Sequence, residues 1–387
     1  MTTALDDPER VRAALRDWIA ERLPADRPAA VHGVEVSELA SPGAGQSSET
    51  VLFSVSWREG RRDRTGRYVL RCQPRANQIF LDADVGREFR VLQALGAGSG
   101  VPVPPVLGAE PDPGVLGVPF FVMARVAGTV PQGKPSIHTV GWLPTLTAGR
   151  RARLWSGALD TLVAVHRVDW RSAHAFLLEP DGEETDLAGH VERLARWYRW
   201  VTGGRAFPVT DAALEHVVAT APTVSAGEPV LVWGDARVGN MIFRDDLSVA
   251  AAIDWELATI GPAGLDLGHW LFFDQLLTEA SGVDRLAGFP DRATTIARYR
   301  ERSGRPVDDV GWFETLAALF TATTVIRQAD IGVGQGRLAP DTRLGHDNAI
   351  TRVLARDLGL PLPELSRDWL AHRHAIPPIP PKRAAWT

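Results

Sequence analysis

The chain has 387 residues, of which 45% are hydrophobic and 23% charged, a composition typical of a folded globular protein and unlike that of collagen-like, coiled-coil or disordered chains. Its 42 Lys and Arg residues against 47 Asp and Glu residues give a formal net charge of -5, which argues against nucleic acid or an anionic membrane as the main partner. Lysine occurs only at Lys134 and Lys382. Pyridoxal-phosphate chemistry and Walker-type phosphate loops both depend on lysine, so both are nearly excluded.

The single cysteine, Cys72, rules out an internal disulfide framework and a cysteine-rich metal site, and we expect it to be buried. The sequence contains no run of about 18 apolar residues, which is the length that a membrane-spanning helix requires. We therefore expect a cytoplasmic protein without a membrane partner. The expected oligomeric state is a monomer or a homodimer.

Residues 34–126 are rich in the alternation of apolar and polar side chains that is typical of strands. The predicted elements are, in chain order, a strand at 50–57, a charged turn at 58–67, a second strand at 68–72, a helix at 84–95 and a short strand at 119–126. We expect residues 1–126 to form a small β-rich lobe with an N-terminal helix, a glycine-containing loop, an antiparallel sheet and one further helix.

Helical periodicity dominates the rest of the chain. The predicted helices span 151–168, 187–198, 265–277, 293–303 and 310–329. A segment containing proline and glycine, at about 130–149, is expected to be a lid-like insertion, and the tail at 376–382 is rich in proline. Residues 127–387 are thus predicted to form a larger, mainly helical lobe, which makes the fold class α+β.

The chemically informative residues lie on one loop and the hairpin that follows it. Asp235 and Asn240 are five residues apart on a loop interrupted by glycine, and an apolar strand follows. A second strand at 249–253 ends at Asp254. The start of one strand of an antiparallel pair lies beside the end of the other, so Asn240 and Asp254 should meet, with Asp235 nearby. Such oxygen ligands suit Mg²⁺, which completes its coordination with phosphates and water.

The spacing Asp-x-x-x-x-Asn, followed by a hairpin and then Ile-Asp-Trp-Glu at 253–256, resembles the catalytic loop and metal-binding aspartate of the protein-kinase-like fold. Together with Gly234 and the later Asp266-Leu267 pair, it resembles the aminoglycoside phosphotransferase and choline kinase superfamily. Arg-Val-Gly-Asn-Met-Ile-Phe at 237–243 and Asp-Trp-Glu-Leu-Ala-Thr-Ile-Gly-Pro at 254–262 are most similar to the kinase-like domains fused to some acyl-CoA dehydrogenases and to their stand-alone bacterial relatives. The resemblance covers about residues 34–277.

This resemblance implies a two-lobed, protein-kinase-like fold, with the catalytic loop and the metal hairpin at 231–256 and a helical substrate-binding region in the larger lobe. Asp235 would accept the proton of a substrate hydroxyl or orient that hydroxyl. Asn240 and Asp254 would hold Mg²⁺ on the phosphates of ATP or GTP. Asp266 would order the catalytic loop.

The resemblance also assigns nucleotide contacts in the smaller lobe. Loop residues Ser41, Gly43, Ala44 and Gly45 would cover the phosphates with backbone N–H groups. Backbone atoms of the connector from Met123 to Arg125 would bind adenine.

Two residues depart from the commonest pattern of the superfamily. Arg71 stands where kinases carry the lysine that contacts the α- and β-phosphates, with Glu88 on the next helix as its expected ion-pair partner and Glu49 as the less favoured alternative. Arginine keeps the charge but binds phosphate in a planar fork, so we treat Arg71 as a catalytic as well as a nucleotide-binding candidate. Trp233 stands where histidine commonly precedes Gly-Asp, and we expect its indole to pack with the N–H bonded to backbone.

The sequence favours a small-molecule phosphotransferase and leaves its acceptor open. An aminoglycoside acceptor needs an acidic pocket, and an acidic cluster occurs after the first long helix, although a solvated loop explains it more simply. Its members are Glu179, Asp181, Glu183, Glu184 and Asp186. A hydroxyacyl acceptor, free or linked to CoA, is the competing hypothesis, suggested by the closest motif match and by aromatic residues such as Trp197, Tyr198 and Trp200. A place in the core is an equal explanation of those aromatic residues. A nucleotide-binding pseudokinase is the third hypothesis, because of Arg71 and Trp233.

Overall fold

The structure is a computed structural model, and it describes residues 7–23, 31–40, 49–131, 133, 135–178 and 186–371. The chain divides into two units, Met1–Ala127 and Gly128–Thr387. The predicted phosphate loop with Ser41, Gly43, Ala44 and Gly45 lies outside the described residues, as do the proline-rich tail and all of the acidic cluster except Asp186.

The first unit is built on a five-stranded antiparallel sheet of strand order β1-β2-β3-β5-β4. Its elements are α1 (Pro8–Arg22), β1 (Val31–Val36), β2 (Glu49–Glu59), β3 (Arg62–Cys72), α2 (Val85–Gly96), β4 (Val106–Glu110) and β5 (Phe120–Ala124). One face of α1 packs Leu15, Trp18 and Ile19 into a core shared with the sheet. Cys72 lies in this core and is buried, as predicted.

The hairpin of β2 and β3 corrects one prediction. Residues 58–67 are not a turn, because the strands continue until Glu59 pairs with Arg62 across a two-residue turn. Ion pairs of 3.1 Å between Arg58 and Asp63 and of 3.0 Å between Arg64 and Glu59 tie the strands together there. Because these charged side chains pair across the strands at the outer end of the hairpin, the sequence lacks the apolar alternation by which a half-buried strand is recognised.

Helix α2 brings Glu88 into the interior of the first unit. Asp84 caps the helix by accepting a hydrogen bond from the Gly86 N–H at 2.8 Å, which stabilises the first turn. The buried face consists of Val85, Glu88, Val91, Leu92 and Leu95. Glu88 is therefore the one carboxylate among four apolar side chains, and it needs a cationic partner.

The second unit is mainly helical. Its helices are α3 (Ala148–Val165), α4 (Trp170–Ala173), α5 (Leu187–Thr202), α6 (Pro208–Thr220), α7 (Gly264–Leu277), α8 (Arg292–Ser303), α9 (Val310–Gly334), α10 (Ala349–Leu358) and α11 (Arg367–Ala371). Its short strands are β6 (Pro229–Val232), β7 (Met241–Phe243), β8 (Val249–Ala252) and β9 (Thr259–Pro262), which pair as β6 with β9 and β7 with β8. None of the helices in the described part is long and apolar enough to cross a membrane.

Helices α7 and α9 approach closely at two glycines. A Cβ atom on Gly264 would lie 2.3 Å from the Phe313 ring, and one on Gly268 would lie 2.5 Å from the Phe313 backbone. Both distances are far inside van der Waals contact, so only glycine permits this packing. The contact fixes α7 against a buried helix, and α7 carries two side chains that reach the candidate site.

The segment predicted to be a lid-like insertion packs against the second unit in its described part. The Ser136 hydroxyl donates to the carbonyl of Leu277 at 2.5 Å, and His138 Nδ1 accepts from the N–H of Leu286 at 3.2 Å. The Trp142 ring lies 6.1 Å from the ring of Phe243, and Leu143 is buried. These contacts fix the described part of the segment to the end of α7 and to the β7 strand.

Candidate active site

The loop after β6 begins with Trp233, whose side chain is buried. Its indole N–H donates to the carbonyl of Ile253 at 3.0 Å, and its ring stacks on Trp255 with the centroids 5.3 Å apart. The expectation that the indole packs with its N–H bonded to backbone is confirmed. Trp233 thereby fixes the start of the loop to the residues that follow β8.

Asp266 holds the next part of the loop through its two carboxylate oxygens. They accept hydrogen bonds from the backbone N–H of Trp233 at 2.7 Å and of Gly234 at 2.8 Å. His166 bonds to Asp266 at 3.0 Å through Nε2 and to the Tyr299 hydroxyl at 2.6 Å through Nδ1. The prediction that Asp266 orders this loop is confirmed, and His166 is a buried histidine with both ring nitrogens bonded.

Gly234 is required by both its backbone angle and its surroundings. Its φ of 91° lies in the left-handed region, and an added Cβ atom would lie 2.4 Å from the carbonyl oxygen of Leu257. A side chain here would be strained and would also clash with backbone. The tight passage at Gly234 brings the Asp235 carboxylate into contact with Arg237 and His269.

The carboxylate of Asp235 is held by two side chains. Oδ1 accepts from Arg237 Nε at 2.7 Å and from His269 Nε2 at 2.8 Å, and Oδ2 accepts from Arg237 Nη2 at 3.1 Å. Asn240 Nδ2 donates to the backbone carbonyl of Asp235 at 3.0 Å. The loop is therefore closed on itself, with its carboxylate in a fixed orientation.

These contacts also set the ionisation of Asp235. Burial by itself would raise the pKa of this carboxyl, but the charge of Arg237 and the hydrogen bonds from His269 and Arg237 outweigh burial, so its pKa lies well below the ordinary value. Burial likewise acts to lower the pKa of Arg237, and the carboxylates of Asp235 and Asp254 reverse that effect and raise it. Asp235 is thus an ionised acceptor beside a permanent cation.

Asn240 and Asp254 occupy the paired ends of the β7–β8 hairpin. Met241 pairs with Ala252, and the N–H of Ile253 donates to the carbonyl of Asn240 at 3.0 Å. The backbone of Asp254 has a φ of 67°, in the left-handed region that few residues other than glycine adopt. Strain of this kind persists where the surrounding structure enforces it and is frequent at functional sites.

The donor set at the hairpin fits Mg²⁺ bound together with phosphates. Among the described residues, no group of three or more His, Cys, Asp or Glu side chains is placed to hold a metal ion. Asn240 and Asp254 supply amide and carboxylate oxygens, the ligand types that Mg²⁺ prefers. Because Mg²⁺ keeps several waters or substrate oxygens, two protein ligands are enough.

A second set of predicted residues lies in the first unit. Arg71 Nη2 is 3.0 Å and Nε 3.2 Å from Glu88 Oε2, and Arg71 Nη1 donates to the Thr50 hydroxyl at 3.2 Å. Both members of the ion pair are buried. The structure therefore contains the predicted Arg71–Glu88 pair, with the guanidinium held in place from two sides.

Residues 40–311 match the family model described as the phosphotransferase enzyme family, APH. The chain belongs to this family. The Arabidopsis thaliana protein named probable acyl-CoA dehydrogenase IBR3 is 27% identical over 360 residues, covering 88% of this chain and 40% of that protein. The chain thus spans about two fifths of the length of this curated relative.

Solved phosphotransferase structures share the fold. A protein assigned as an aminoglycoside phosphotransferase from Ralstonia eutropha superposes with a TM-score of 0.59 and 24% identity, covering 85% of this chain and 91% of that chain. The aminoglycoside phosphotransferase APH(4)-Ia, in a ternary complex with ADP and hygromycin B, gives a TM-score of 0.51 and 16% identity, covering 84% of this chain and 96% of that chain. The predicted kinase-like α+β fold is confirmed.

The sequence motifs predict no role for two residues of the candidate site, Arg237 and His269. Arg237 lies inside the loop motif, two residues after Asp235, so its proximity could have been expected from the spacing. His269 comes 34 residues after Asp235 and follows Asp266 by one helical turn. Its position one helical turn after Asp266, on the same face of α7, could have indicated that it lies near the loop.

Backbone hydrogen bonds in the first unit restrict the adenine contact that the sequence predicts for residues 123–125. The N–H of Arg125 donates to the carbonyl of Arg67 at 2.8 Å, and the N–H of Ala124 donates to the carbonyl of Pro105 at 2.7 Å. Met123 pairs with Val69 within the sheet. An adenine contact from residues 124 and 125 would therefore rely on their carbonyl groups.

Aromatic side chains of the second unit lie against the two residues that hold Asp235, and we call Phe273, Phe320 and Trp197 the aromatic wall. The Phe273 ring lies 4.6 Å from the His269 ring and 5.0 Å from the Arg237 guanidinium. The Phe320 ring lies 6.4 Å from His269 and 4.9 Å from Trp197. The wall thus extends from the residues that hold Asp235 to α5.

Two further aromatic residues of α5 have separate environments. Trp200 is exposed and lies 4.7 Å from the guanidinium of Arg327. The Tyr198 hydroxyl donates to Asp211 at 2.6 Å, and burial is the largest of the effects that raise its pKa. Tyr198 is therefore a core residue, and Trp200 is an amphipathic surface residue.

Proposed function

We propose that the protein transfers the γ-phosphate of ATP or GTP to a hydroxyl group of a small molecule. The observation that carries this proposal is the convergence of Asp235, Asn240 and Asp254 on one loop and one hairpin. Membership of the APH phosphotransferase family supports the reaction type. The structural neighbour APH(4)-Ia, which shares the fold with this chain, was solved in complex with ADP, and this supports a nucleotide as the phosphate donor.

Each residue has a proposed role. Asp235 accepts a hydrogen bond from the acceptor hydroxyl and orients it. Asn240 and Asp254 would coordinate Mg²⁺ bound to the nucleotide phosphates. Bound Mg²⁺ would neutralise charge that develops on the transferred phosphoryl group. In the first unit, Arg71 contacts the α- and β-phosphates as a forked cation, and Glu88 holds its guanidinium.

The proposed step is an in-line displacement. The acceptor oxygen forms a bond to the γ-phosphorus, the bond from that phosphorus to the bridging β-oxygen breaks, and the hydroxyl proton passes to Asp235. Because its pKa is well below the ordinary value, Asp235 is a weak base and acts first by orienting the hydroxyl. A loose transition state needs little early proton removal, so orientation by an ionised carboxylate is sufficient.

The surroundings of Asp235 favour a hydroxyacyl compound over a polycationic aminoglycoside as acceptor. The half-buried rings of Phe273 and Phe320 lie against His269, which holds the carboxylate, and the Arg237 guanidinium places a positive charge on it. Of the acidic cluster that would suit an aminoglycoside, Asp186 is the described member, and it caps α5 by accepting from the Gly189 N–H at 2.8 Å. The similarity to proteins named acyl-CoA dehydrogenases agrees with an acyl acceptor.

A nucleotide-consumption screen tests the proposal. Purified protein is incubated with MgATP or MgGTP and with aminoglycosides, amino alcohols, sugars and hydroxyacyl compounds, free and as CoA thioesters. We expect consumption with a hydroxyacyl compound, and a loss of at least about 10²-fold in Asp235→Asn, since a positioned acid or base contributes that much. Asp245→Asn, an exposed residue of the β7–β8 turn, is the matched control and should keep full activity.

The outcomes separate the candidates. If an aminoglycoside were the only compound phosphorylated, the acceptor would be an aminoglycoside and not a hydroxyacyl compound. Mg²⁺-dependent nucleotide binding without transfer to any acceptor would favour a pseudokinase. Full activity in Asp235→Asn would remove Asp235 from the mechanism.

A further inference from the structure

His269 contacts the carboxylate of Asp235 but belongs to helix α7, whereas Asp235 belongs to the loop after β6. It lies on α7, three residues after Asp266, so the two side chains lie on the same helix face. Asp266 holds the backbone of the loop at Trp233 and Gly234, and His269 Nε2 lies 2.8 Å from Asp235 Oδ1. Helix α7 therefore fixes both the course of the loop and the side chain at its tip.

The direction of this hydrogen bond follows from its partners. An ionised carboxylate only accepts hydrogen bonds, and Asp235 accepts two from the permanently charged guanidinium of Arg237. His269 Nε2 must therefore carry the proton and donate it. The ring itself is held by Phe273 at 4.6 Å and Phe320 at 6.4 Å, and its helix is locked against α9 at Gly268.

The two side chains that hold Asp235 differ in exposure. The side chain of Arg237 is 29% exposed, whereas that of His269 is 6% exposed. Arg237 belongs to the same loop as Asp235, whereas His269 belongs to a helix that is packed against α9. The contact from His269 is therefore the more buried of the two and comes from outside the loop.

The contacts distinguish the two carboxylate oxygens. Oδ1 accepts two hydrogen bonds, at 2.7 and 2.8 Å, and Oδ2 accepts one, at 3.1 Å. A carboxylate oxygen has about two lone-pair directions, so Oδ1 is fully used and Oδ2 keeps one acceptor position. The acceptor hydroxyl can thus be met by Oδ2.

We infer that His269 is a positioning residue for the phosphotransfer reaction: it holds Asp235 Oδ1 through Nε2–H and so presents Oδ2 to the hydroxyl of the acceptor. This inference rests on the proposed function of Asp235. His269 does not touch the reacting atoms, and it acts through the orientation of the carboxylate.

A pair of isosteric variants tests the role of the Nε2 donor. The amide nitrogen of glutamine reaches about the position of Nε2, whereas that of asparagine reaches about the position of Nδ1. We expect His269→Asn to lower kcat by about 10- to 100-fold, the scale of loss caused by a small misplacement of a catalytic group. The KM for nucleotide should stay within about 3-fold, and His269→Gln should recover most of kcat.

His138→Asn is the matched control, because His138 is also a buried histidine and it contacts Leu286 and Phe289 instead of Asp235. It should lower the melting temperature comparably to His269→Asn and leave kcat unchanged. Equal losses of kcat in His269→Asn and His269→Gln, or in His138→Asn, would overturn the positioning role. No transfer by the wild-type protein to any acceptor would instead refute the proposed function, and the inference with it.

Nitrogen-15 NMR of labelled histidine tests the contact without catalysis. We expect a slowly exchanging Nε2–H resonance in the wild-type protein that is absent from His269→Gln, and that shifts and exchanges faster in Asp235→Ala. An Nε2 without a proton, or a resonance indifferent to Asp235→Ala, would overturn the inference even if the enzyme is active.

Discussion

At the scale of single residues, Arg71 has two expected roles. It is a candidate phosphate ligand, and its buried ion pair with Glu88 stabilises the first unit. Both side chains are buried, and Glu88 sits on an otherwise apolar helix face. Removing one partner of a buried ion pair leaves an uncompensated charge, which typically costs about 3–5 kcal/mol. We therefore expect Arg71→Met to lower the free energy of unfolding by about that amount, as measured by chemical denaturation.

The matched variant for this prediction is the double substitution Arg71→Met with Glu88→Gln, which removes both charges. It should recover a large part of the lost stability, because the penalty comes from a buried carboxylate that has lost the guanidinium facing it. Arg71→Lys keeps the charge but loses the fork that reaches both Glu88 and Thr50, and should lie between wild type and Arg71→Met. Equal stability of the single and double variants would contradict this explanation.

The sequence predicts some of these residues and misses others for physical reasons. Asn240 and Asp254 are predictable because antiparallel pairing brings the ends of a short hairpin together whatever the rest of the fold does. The spacing places His269 on the same face of α7 as Asp266, but its contact with Asp235 depends on how α7 packs within the fold. Long-range packing of this kind leaves no local pattern in the sequence.

At the scale of elements, the loop from β6 to β7 depends on Gly234. We expect Gly234→Ala to lower the free energy of unfolding by about 2–5 kcal/mol, since it combines a left-handed backbone with a clash against the carbonyl of Leu257. Gly203→Ala is the matched control: Gly203 has a φ of 56°, but nothing lies within 4 Å of its added Cβ. That variant should cost about 1 kcal/mol, the conformational penalty alone.

Denaturation of both glycine variants measures the difference. If Gly234→Ala were no less stable than Gly203→Ala, the loop would have room to relax, and the fixed position of Asp235 would lose its support.

Helices and strands with clear periodicity, such as α2 and α7, were predicted closely, whereas the charged ends of β2 and β3 were mistaken for a turn. The difference arises because cross-strand ion pairs stabilise a strand without an apolar alternation.

At the scale of the whole molecule, we expect nucleotide and Mg²⁺ to raise the free energy of unfolding. A ligand that binds the folded chain and not the unfolded chain stabilises the folded state by mass action. At a nucleotide concentration of about 100 times Kd the expected gain is about 2.7 kcal/mol, read as a rise in melting temperature. Chelation of Mg²⁺ should remove most of the rise, since Asn240 and Asp254 are proposed to act on the phosphates through the ion.

Asp254→Asn should likewise show little of the rise in melting temperature, because asparagine tolerates the left-handed backbone at this position but lacks the charge. Asp246→Asn, in the exposed turn of the same hairpin, should keep the full rise. An equal rise with and without chelator would show that nucleotide binds without the ion and would contradict the assignment of Asn240 and Asp254.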